Sequence, residues 1–178
     1  MEFLLESWNG GEFDVFPTRI NPDPQYPYYT HIEIPSTPTG YLDSKLHLNE
    51  DSFSLVIAFM DKYLDRGLLP QYRDLDIKDE SFGWYEDNIY RYSDLRCMLE
   101  EIRATAQDIV LGKTTESIRQ MILHQNPSWY GIHGEADKAQ LFDANRSEIA
   151  DYLLRFCDAV QAVMDNAPEF DLIDFQGP

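Results

Sequence analysis

The stretch that decides the fold is YSDLRCMLEEIRATAQDIVLG, residues 92–112. Its apolar side chains recur at intervals of three and four residues, which is the spacing of one face of an α-helix. These positions are Leu95, Met98, Leu99, Ile102, Ala106 and Ile109. The pattern predicts a helix from about Tyr92 to Leu111, capped by Ser93 and stopped by Gly112. Such a stripe must be buried against another element, so this helix indicates a packed core.

Two other segments show the same period and predict two more long helices. One is EDSFSLVIAFMDKYLDRG, residues 50–67, and the other begins with NRSE and runs to residue 166, with Asn145 and Glu148 in the positions of a capping box. A shorter helix is predicted near residues 115–124, and a brief one near 135–142. The inward positions are Phe53, Val56, Ile57, Met60, Tyr63 and Leu64 in the first long helix, Ile118, Met121 and Ile122 in the short one, and Ile149, Tyr152, Leu153, Phe156, Val160, Val163 and Met164 in the last.

The first 48 residues have the pattern of strands and turns. NGG at residues 9–11 lies between two apolar runs, and this predicts a hairpin of Glu2–Trp8 with Glu12–Phe16. YYTHIEIP, residues 28–35, alternates and is also strand-like. The predicted fold is a single α+β domain, with a bundle of about four helices packed on a small N-terminal antiparallel sheet. Its portions are a β-rich part at 1–48, a mainly helical part at 50–166 and an acidic tail at 167–178.

The charge of the chain is unusual for its size. It has 32 acidic and 14 basic residues, a net charge of −18. A chain of this charge repels nucleic-acid phosphates and anionic membrane surfaces, so neither is an expected partner. A cationic protein partner is one explanation of the charge, and solubility without a specific partner is the other. With no signal peptide and no apolar stretch of transmembrane length, the protein is expected to be soluble and cytoplasmic.

Sequence motifs of phosphate and metal sites fail at the positions that matter. GKTT at 112–115 lacks the earlier glycine of a phosphate loop, because residue 107 is Gln. A calcium loop counted from Asp74 would have Asp79 in place of its glycine and Tyr85 in place of its final Glu. The four histidines, His31, His47, His124 and His133, are not spaced as zinc ligands. No cofactor or metal is therefore expected.

The sequence contains no recognisable catalytic motif. There is no G-x-S-x-G elbow, and nothing singles out two of the many carboxylates as a catalytic pair. Cys97 and Cys157 lie inside predicted amphipathic helices, where they are expected to be buried and unreactive thiols. The sequence does not decide whether the two cysteines form a disulfide. The protein is not expected to be an enzyme.

The segment that precedes the central helix is the candidate binding surface. Residues 74–87, DLDIKDESFGWYED, carry six acidic side chains together with aromatic rings. Rings supply contact area that can be desolvated, and the charges steer a basic partner and fix its register. The alternative is that Phe82, Trp84 and Ile89 only pack onto the helices. The candidate partner-binding residues are Asp74, Asp76, Asp79, Glu80, Trp84, Tyr85, Glu86 and Asp87.

GWYEDNIYRYSDLRCMLEEI, residues 83–102, has a strand-like start that feeds an amphipathic helix in a small acidic chain. In this it resembles immunity proteins of bacterial polymorphic-toxin and contact-dependent inhibition systems. The resemblance implies a non-enzymatic protein that neutralises a cognate toxin by binding it tightly, and it leaves the toxin class open. Two other hypotheses remain: an acidic mimic of nucleic acid that inhibits a host DNA-binding enzyme, and a small hydrolase with an unrecognised carboxylate site.

Overall fold

The computed structural model describes residues 11–18, 45–48, 50–65, 68, 88–113 and 143–176. In chain order these form β1 (Gly11–Thr18), β2 (Lys45–Leu48), α1 (Glu50–Tyr63), β3 (Asn88–Arg91), α2 (Tyr92–Val110), α3 (Arg146–Asn166) and β4 (Leu172–Gln176). The predicted α+β class is confirmed. The described residues contain three helices where about four were predicted, because the short helices expected near 115–124 and 135–142 lie outside them.

The four strands form one antiparallel sheet in the order β2, β1, β4, β3. In the register, Val15 of β1 lies opposite Phe175 of β4, and Tyr90 of β3 lies opposite Ile173. The prediction of an N-terminal sheet is only partly right, since β3 and β4 follow the first two strands by 40 residues or more in sequence. The predicted segment Glu12–Phe16 does lie in β1, whereas its expected hairpin partner and residues 28–35 lie outside the described residues.

The prediction of an acidic tail at 167–178 is wrong where β4 forms. Leu172, Ile173 and Phe175 are buried, and the strand pairs with a neighbour on each side. The acidic side chain in its centre, Asp174, is buried as well and accepts hydrogen bonds from the backbone N–H of Asn88 and from Gln176 Nε2. The tail prediction gave weight to the charge of this segment, but a buried carboxylate with hydrogen-bond partners is compatible with a central strand.

The helices cover one face of the sheet, and the predicted apolar stripes form the core between them. All six predicted positions of α2 are fully buried. In α1 and α3 the buried positions are Val56, Ile57, Met60, Leu64, Ile149, Leu153, Phe156, Val160 and Met164, while Tyr63, Tyr152 and Val163 are partly buried. Phe175 joins the layers, because its ring stacks on Phe156 at 6.2 Å and meets the edge of Tyr90 at 5.5 Å between centroids.

Helices α2 and α3 run antiparallel and make contact along their length. At one end Tyr92 Oη donates a hydrogen bond to the Ala167 carbonyl oxygen at 3.0 Å. Further along, Arg103 Nη2 lies 3.5 Å from Asp158 Oδ1. The two helices therefore form an antiparallel pair that also contacts the sheet and α1.

The predicted start of α2 at Tyr92 is confirmed, but the predicted N-cap is wrong by two residues. Arg91 occupies the N-cap position and Ser93 lies inside the helix. The reason is that the Tyr92 N–H donates to the Asp171 carbonyl oxygen at 2.8 Å, which continues the β3–β4 hydrogen bonds to the first helical residue. At α3 the predicted N-cap, Asn145, is confirmed in position, but its side chain makes no capping hydrogen bond to the helix.

The end of α2 at Gly112 is confirmed and has a specific geometry. Gly112 has φ +70°, its N–H donates to the Ile109 carbonyl, and the Lys113 N–H donates to the Asp108 carbonyl. These two bonds are the pattern of a Schellman motif, which satisfies carbonyl groups that the last helical turn leaves unpaired. A side chain at this position is strained because φ is positive.

We expect Gly112→Ala to lower the free energy of unfolding by about 1 kcal/mol, because alanine strains the left-handed conformation. The alanine Cβ would also lie 2.5 Å from Arg146 Nη1, although that flexible side chain can move. Gly112→Asn is the matched control, since asparagine tolerates this conformation better and should cost less. Urea-induced unfolding measures both; equal losses in the two variants would contradict the proposed role of the backbone conformation.

Candidate functional site

All eight predicted partner-binding residues lie outside the described residues: Asp74, Asp76, Asp79, Glu80, Trp84, Tyr85, Glu86 and Asp87. The structure does describe how the segment that carries them is attached at its two ends. On the N-terminal side the chain leaves α1 and passes Leu68, whose side chain is buried and whose N–H donates to the Asp65 carbonyl at 3.1 Å. On the C-terminal side the chain enters β3 at Asn88.

The two attachment points touch each other. Tyr90 Oη donates a buried hydrogen bond to the Met60 carbonyl oxygen at 3.1 Å, and Arg91 Nη1 lies 3.3 Å from Asp65 Oδ2. We call these four residues, Met60, Asp65, Tyr90 and Arg91, the stem. Because the stem joins the end of α1 to β3, the described residues on either side of the stretch that carries the acidic segment lie close together. Segments whose ends meet in this way are frequently functional surfaces.

Asn88 is held by two further hydrogen bonds, which join the edge strand β3 to its neighbour β4. Its backbone N–H donates to Asp174 Oδ1 at 2.9 Å, and its Nδ2 donates to the Phe175 carbonyl oxygen at 3.0 Å. We call Asn88, Asp174 and Phe175 the Asn88 anchor. All three residues are 0% exposed, so these hydrogen bonds do not compete with bulk water. The last candidate residue, Asp87, is therefore one peptide bond away from a buried, hydrogen-bonded position.

The last turn of α1 is also tied to α2. Glu101 of α2 accepts hydrogen bonds from Lys62 Nζ, at 2.8 and 2.6 Å to its two oxygens, and from Tyr63 Oη at 2.6 Å. The pKa of Tyr63 is raised to about 12, mainly by its hydrogen bond to Glu101 and to a smaller extent by burial. The hydrogen bond from Lys62 holds the pKa of the Glu101 carboxyl below its usual value. These contacts fix the position from which the chain leaves α1.

Basic side chains on the described helices lie close to carboxylates. The pairs within 4.0 Å are Lys62–Glu101, Arg91–Asp65, Arg91–Asp94, Arg103–Asp158, Lys113–Asp108 and Arg155–Asp151. Most of these groups are exposed, so each pair contributes little stability. Their consequence for the surface is that the positive charges in these pairs are locally compensated by neighbouring carboxylates.

Acidic side chains also lie near the beginning of α2. Burial raises the pKa of Tyr92 to about 12, and the nearby charges of Glu169 and Asp171 raise it further, against a smaller lowering by Arg96. The turn between α3 and β4 therefore adds negative potential close to the stem side of the molecule. No sequence pattern indicated this, because the acids of the turn and Tyr92 are more than 70 residues apart.

The two cysteines differ in a way that corrects the sequence-based expectation. Cys157 is buried, its Sγ lies 3.7 Å from the Leu99 carbonyl oxygen, and burial raises its pKa to about 12. Cys97 was also expected to be buried, but it is exposed, because it lies beside the α2 stripe and not on it. Both thiols are free, so the structure contains no disulfide between them.

Neither a metal centre nor a membrane-spanning helix occurs in the part of the chain that the structure describes. Within these residues no three side chains of His, Cys, Asp or Glu come together in a way that could hold a metal ion. The helices described here are also too short or too polar to cross a bilayer. Of the four histidines only His47, in β2, belongs to the described residues.

We expect Tyr90→Phe to lower the free energy of unfolding by about 1 kcal/mol, because it removes the buried hydrogen bond of the stem to the Met60 carbonyl. Tyr152→Phe is the control. The Tyr152 ring lies under the guanidinium of Arg155 at 4.3 Å, a contact that does not need the hydroxyl, so the change should stay within about 0.5 kcal/mol. Thermal or urea unfolding measures both variants; similar effects would show that the stem hydrogen bond adds no stability.

We expect one of the two thiols to react with a disulfide reagent in the native protein, and both after denaturation. Cys97 is exposed, whereas Cys157 is buried with a pKa of about 12 and forms little thiolate at neutral pH. Titration with Ellman's reagent, with Cys97→Ser as the control, measures this. A second thiol that reacts at a similar rate in the native wild-type protein would contradict the burial of Cys157.

Comparison with known proteins finds no match to this chain among family models, curated proteins or solved structures.

Proposed function

We propose that this protein is an immunity or inhibitor protein, which neutralises a cognate toxin by binding a cationic surface on it, with a nuclease as the favoured toxin class. The partner-binding residues in this proposal are the acids and aromatics of residues 74–87. One observation supports the proposal: the chain that carries this segment leaves the described core after Leu68 and re-enters it at Asn88, and next to these two residues Tyr90 and Arg91 contact Met60 and Asp65. A surface fixed at both ends loses less conformational entropy when it binds.

The charge of the chain suits a nuclease as partner. A nuclease needs a positively charged active site to hold phosphate groups, so an acidic protein is attracted to that site and also excludes the substrate from it. The net charge of −18 provides long-range attraction, and the aromatic side chains provide contact area that can be desolvated. No catalytic step is required of this protein, and inhibition follows from occupancy of the toxin's site.

The positions of the acids distinguish a specific site from general charge. If residues 74–87 make the contacts, neutralising acids there removes both attraction and local pairing. If only the overall charge matters, neutralising the same number of acids anywhere on the surface has the same effect. Helices α2 and α3 supply suitable exposed acids for comparison: Glu100, Glu148, Asp158 and Asp165.

The experiment begins with co-purification of the partner from the native operon, followed by measurement of association rates by stopped flow. We expect the association rate to fall at least about tenfold between about 0.05 M and about 0.5 M salt, because ions screen the attraction between the two proteins. An association rate that does not change with salt would remove the electrostatic part of the proposal.

Two quadruple variants with the same charge change locate the site. One replaces Asp79 and Asp87 by Asn and Glu80 and Glu86 by Gln. The other replaces Asp158 and Asp165 by Asn and Glu100 and Glu148 by Gln. We expect both to slow association, and only the first to speed dissociation, by about tenfold or more, since close charge pairs act mainly on dissociation. Equal dissociation rates in the two variants would exclude residues 74–87 as the contact surface.

A further inference from the structure

The Asn88 anchor can influence binding without contacting a partner. Asn88 and Asp174 are 0% exposed, so neither side chain can reach a protein that binds at the surface. Asn88 is nevertheless the residue directly after Asp87 in the chain. An effect of these two residues on a partner is therefore indirect, and the backbone from Asn88 to Asp87 is the shortest route to the acidic segment.

We propose that Asn88 and Asp174 are positioning residues for the acidic segment: by fixing the start of β3 they fix where residues 74–87 join the core. This inference rests on the proposed function for the identity of the surface. Two bonds carry it, from the Asn88 N–H to Asp174 Oδ1 at 2.9 Å and from Asn88 Nδ2 to the Phe175 carbonyl at 3.0 Å. Both acceptors belong to β4, an inner strand, which pairs with a strand on each side.

The geometry explains why an asparagine and an aspartate occupy these positions. Strand pairing places Asn88 opposite Phe175 and Ile89 opposite Asp174. The Asn88 side chain donates a hydrogen bond to the backbone of β4, and the Asp174 side chain accepts one from the backbone of β3. The two strands are thus joined by side-chain bonds in addition to the strand ladder, at the end of β3 where the acidic segment enters. Buried hydrogen bonds of this kind hold one backbone arrangement against alternatives.

The first test needs no partner. Hydrogen–deuterium exchange, followed by mass spectrometry, is compared for peptides covering residues 69–87 and peptides from α2 in the wild type, Asn88→Ala and Gly112→Ala. Gly112→Ala is the matched control, because it destabilises the fold at a distant helix end and leaves the anchor intact. We expect Asn88→Ala to speed exchange in 69–87 about fivefold, the effect of one lost hydrogen bond, and Gly112→Ala to speed exchange in α2 without this effect on 69–87.

A pair of variants at residue 174 tests the acceptor. Asp174→Asn keeps an oxygen that can accept from the Asn88 N–H, so exchange in 69–87 should stay near the wild-type rate. Asp174→Ala removes the acceptor and should speed exchange there. The proposal is overturned if Asn88→Ala leaves exchange in 69–87 unchanged, or if Gly112→Ala speeds it equally. This criterion holds even if Asp174→Ala does not fold.

The second test uses the complex with the co-purified partner. We expect Asn88→Ala to dissociate about fivefold faster while it associates at the wild-type rate, because every surface charge is retained. Gly112→Ala should dissociate at the wild-type rate. If the wild type binds no basic partner, the proposed function fails, while the exchange experiment still decides whether the anchor positions the segment. An unchanged dissociation rate of the Asn88→Ala complex would contradict the proposal that the Asn88 anchor positions the binding surface.

Discussion

The insertion of β4 between β1 and β3 is the constraint on which the rest of the structure depends. This strand supplies two sets of backbone hydrogen bonds, one on each side, and its Phe175 packs on Phe156 of α3 and on Tyr90 of β3. Without β4 the strands β1 and β3 would have no partner in common, and the face of the sheet under the helices would lose its central residues. The burial of residues 172–175 reflects this position.

The same strand determines how the candidate surface is attached. β4 holds Asn88 through Asp174 and the Phe175 carbonyl, and the turn before it bonds the first residue of α2 through the Asp171 carbonyl. Further along β3, Tyr90 and Arg91 of the stem contact Met60 and Asp65 at the end of α1. A strand that is distant in sequence thus holds Asn88, the residue that follows the acidic segment, and contacts with β3 hold the end of α1, which precedes that segment in the chain.

The parts of the fold that the sequence predicted are those encoded by local patterns. The stripe of α2 needs only the spacing of Leu95, Ile102 and their neighbours, and the stop at Gly112 needs only a residue that adopts positive φ. The pairing of β4 with β1 and β3 joins residues more than 80 positions apart, and no local pattern encodes it. Residues 167–178 were predicted to be an acidic tail for that reason, and the Asn88 anchor could not be anticipated. The acids and aromatics of the candidate surface were recognisable from composition, but the contacts of the stem were not, because they join residues 26 and 30 positions apart.

The central claim is that a basic partner contacts residues 74–87, and a hydrogen-exchange footprint of the wild-type complex tests it most directly. Exchange is compared for the free protein and for the protein saturated with the co-purified partner. The account predicts slower exchange in residues 74–87, with the exposed side of α3 unchanged. Protection confined to α2 and α3, with residues 74–87 exchanging as in the free protein, would contradict it.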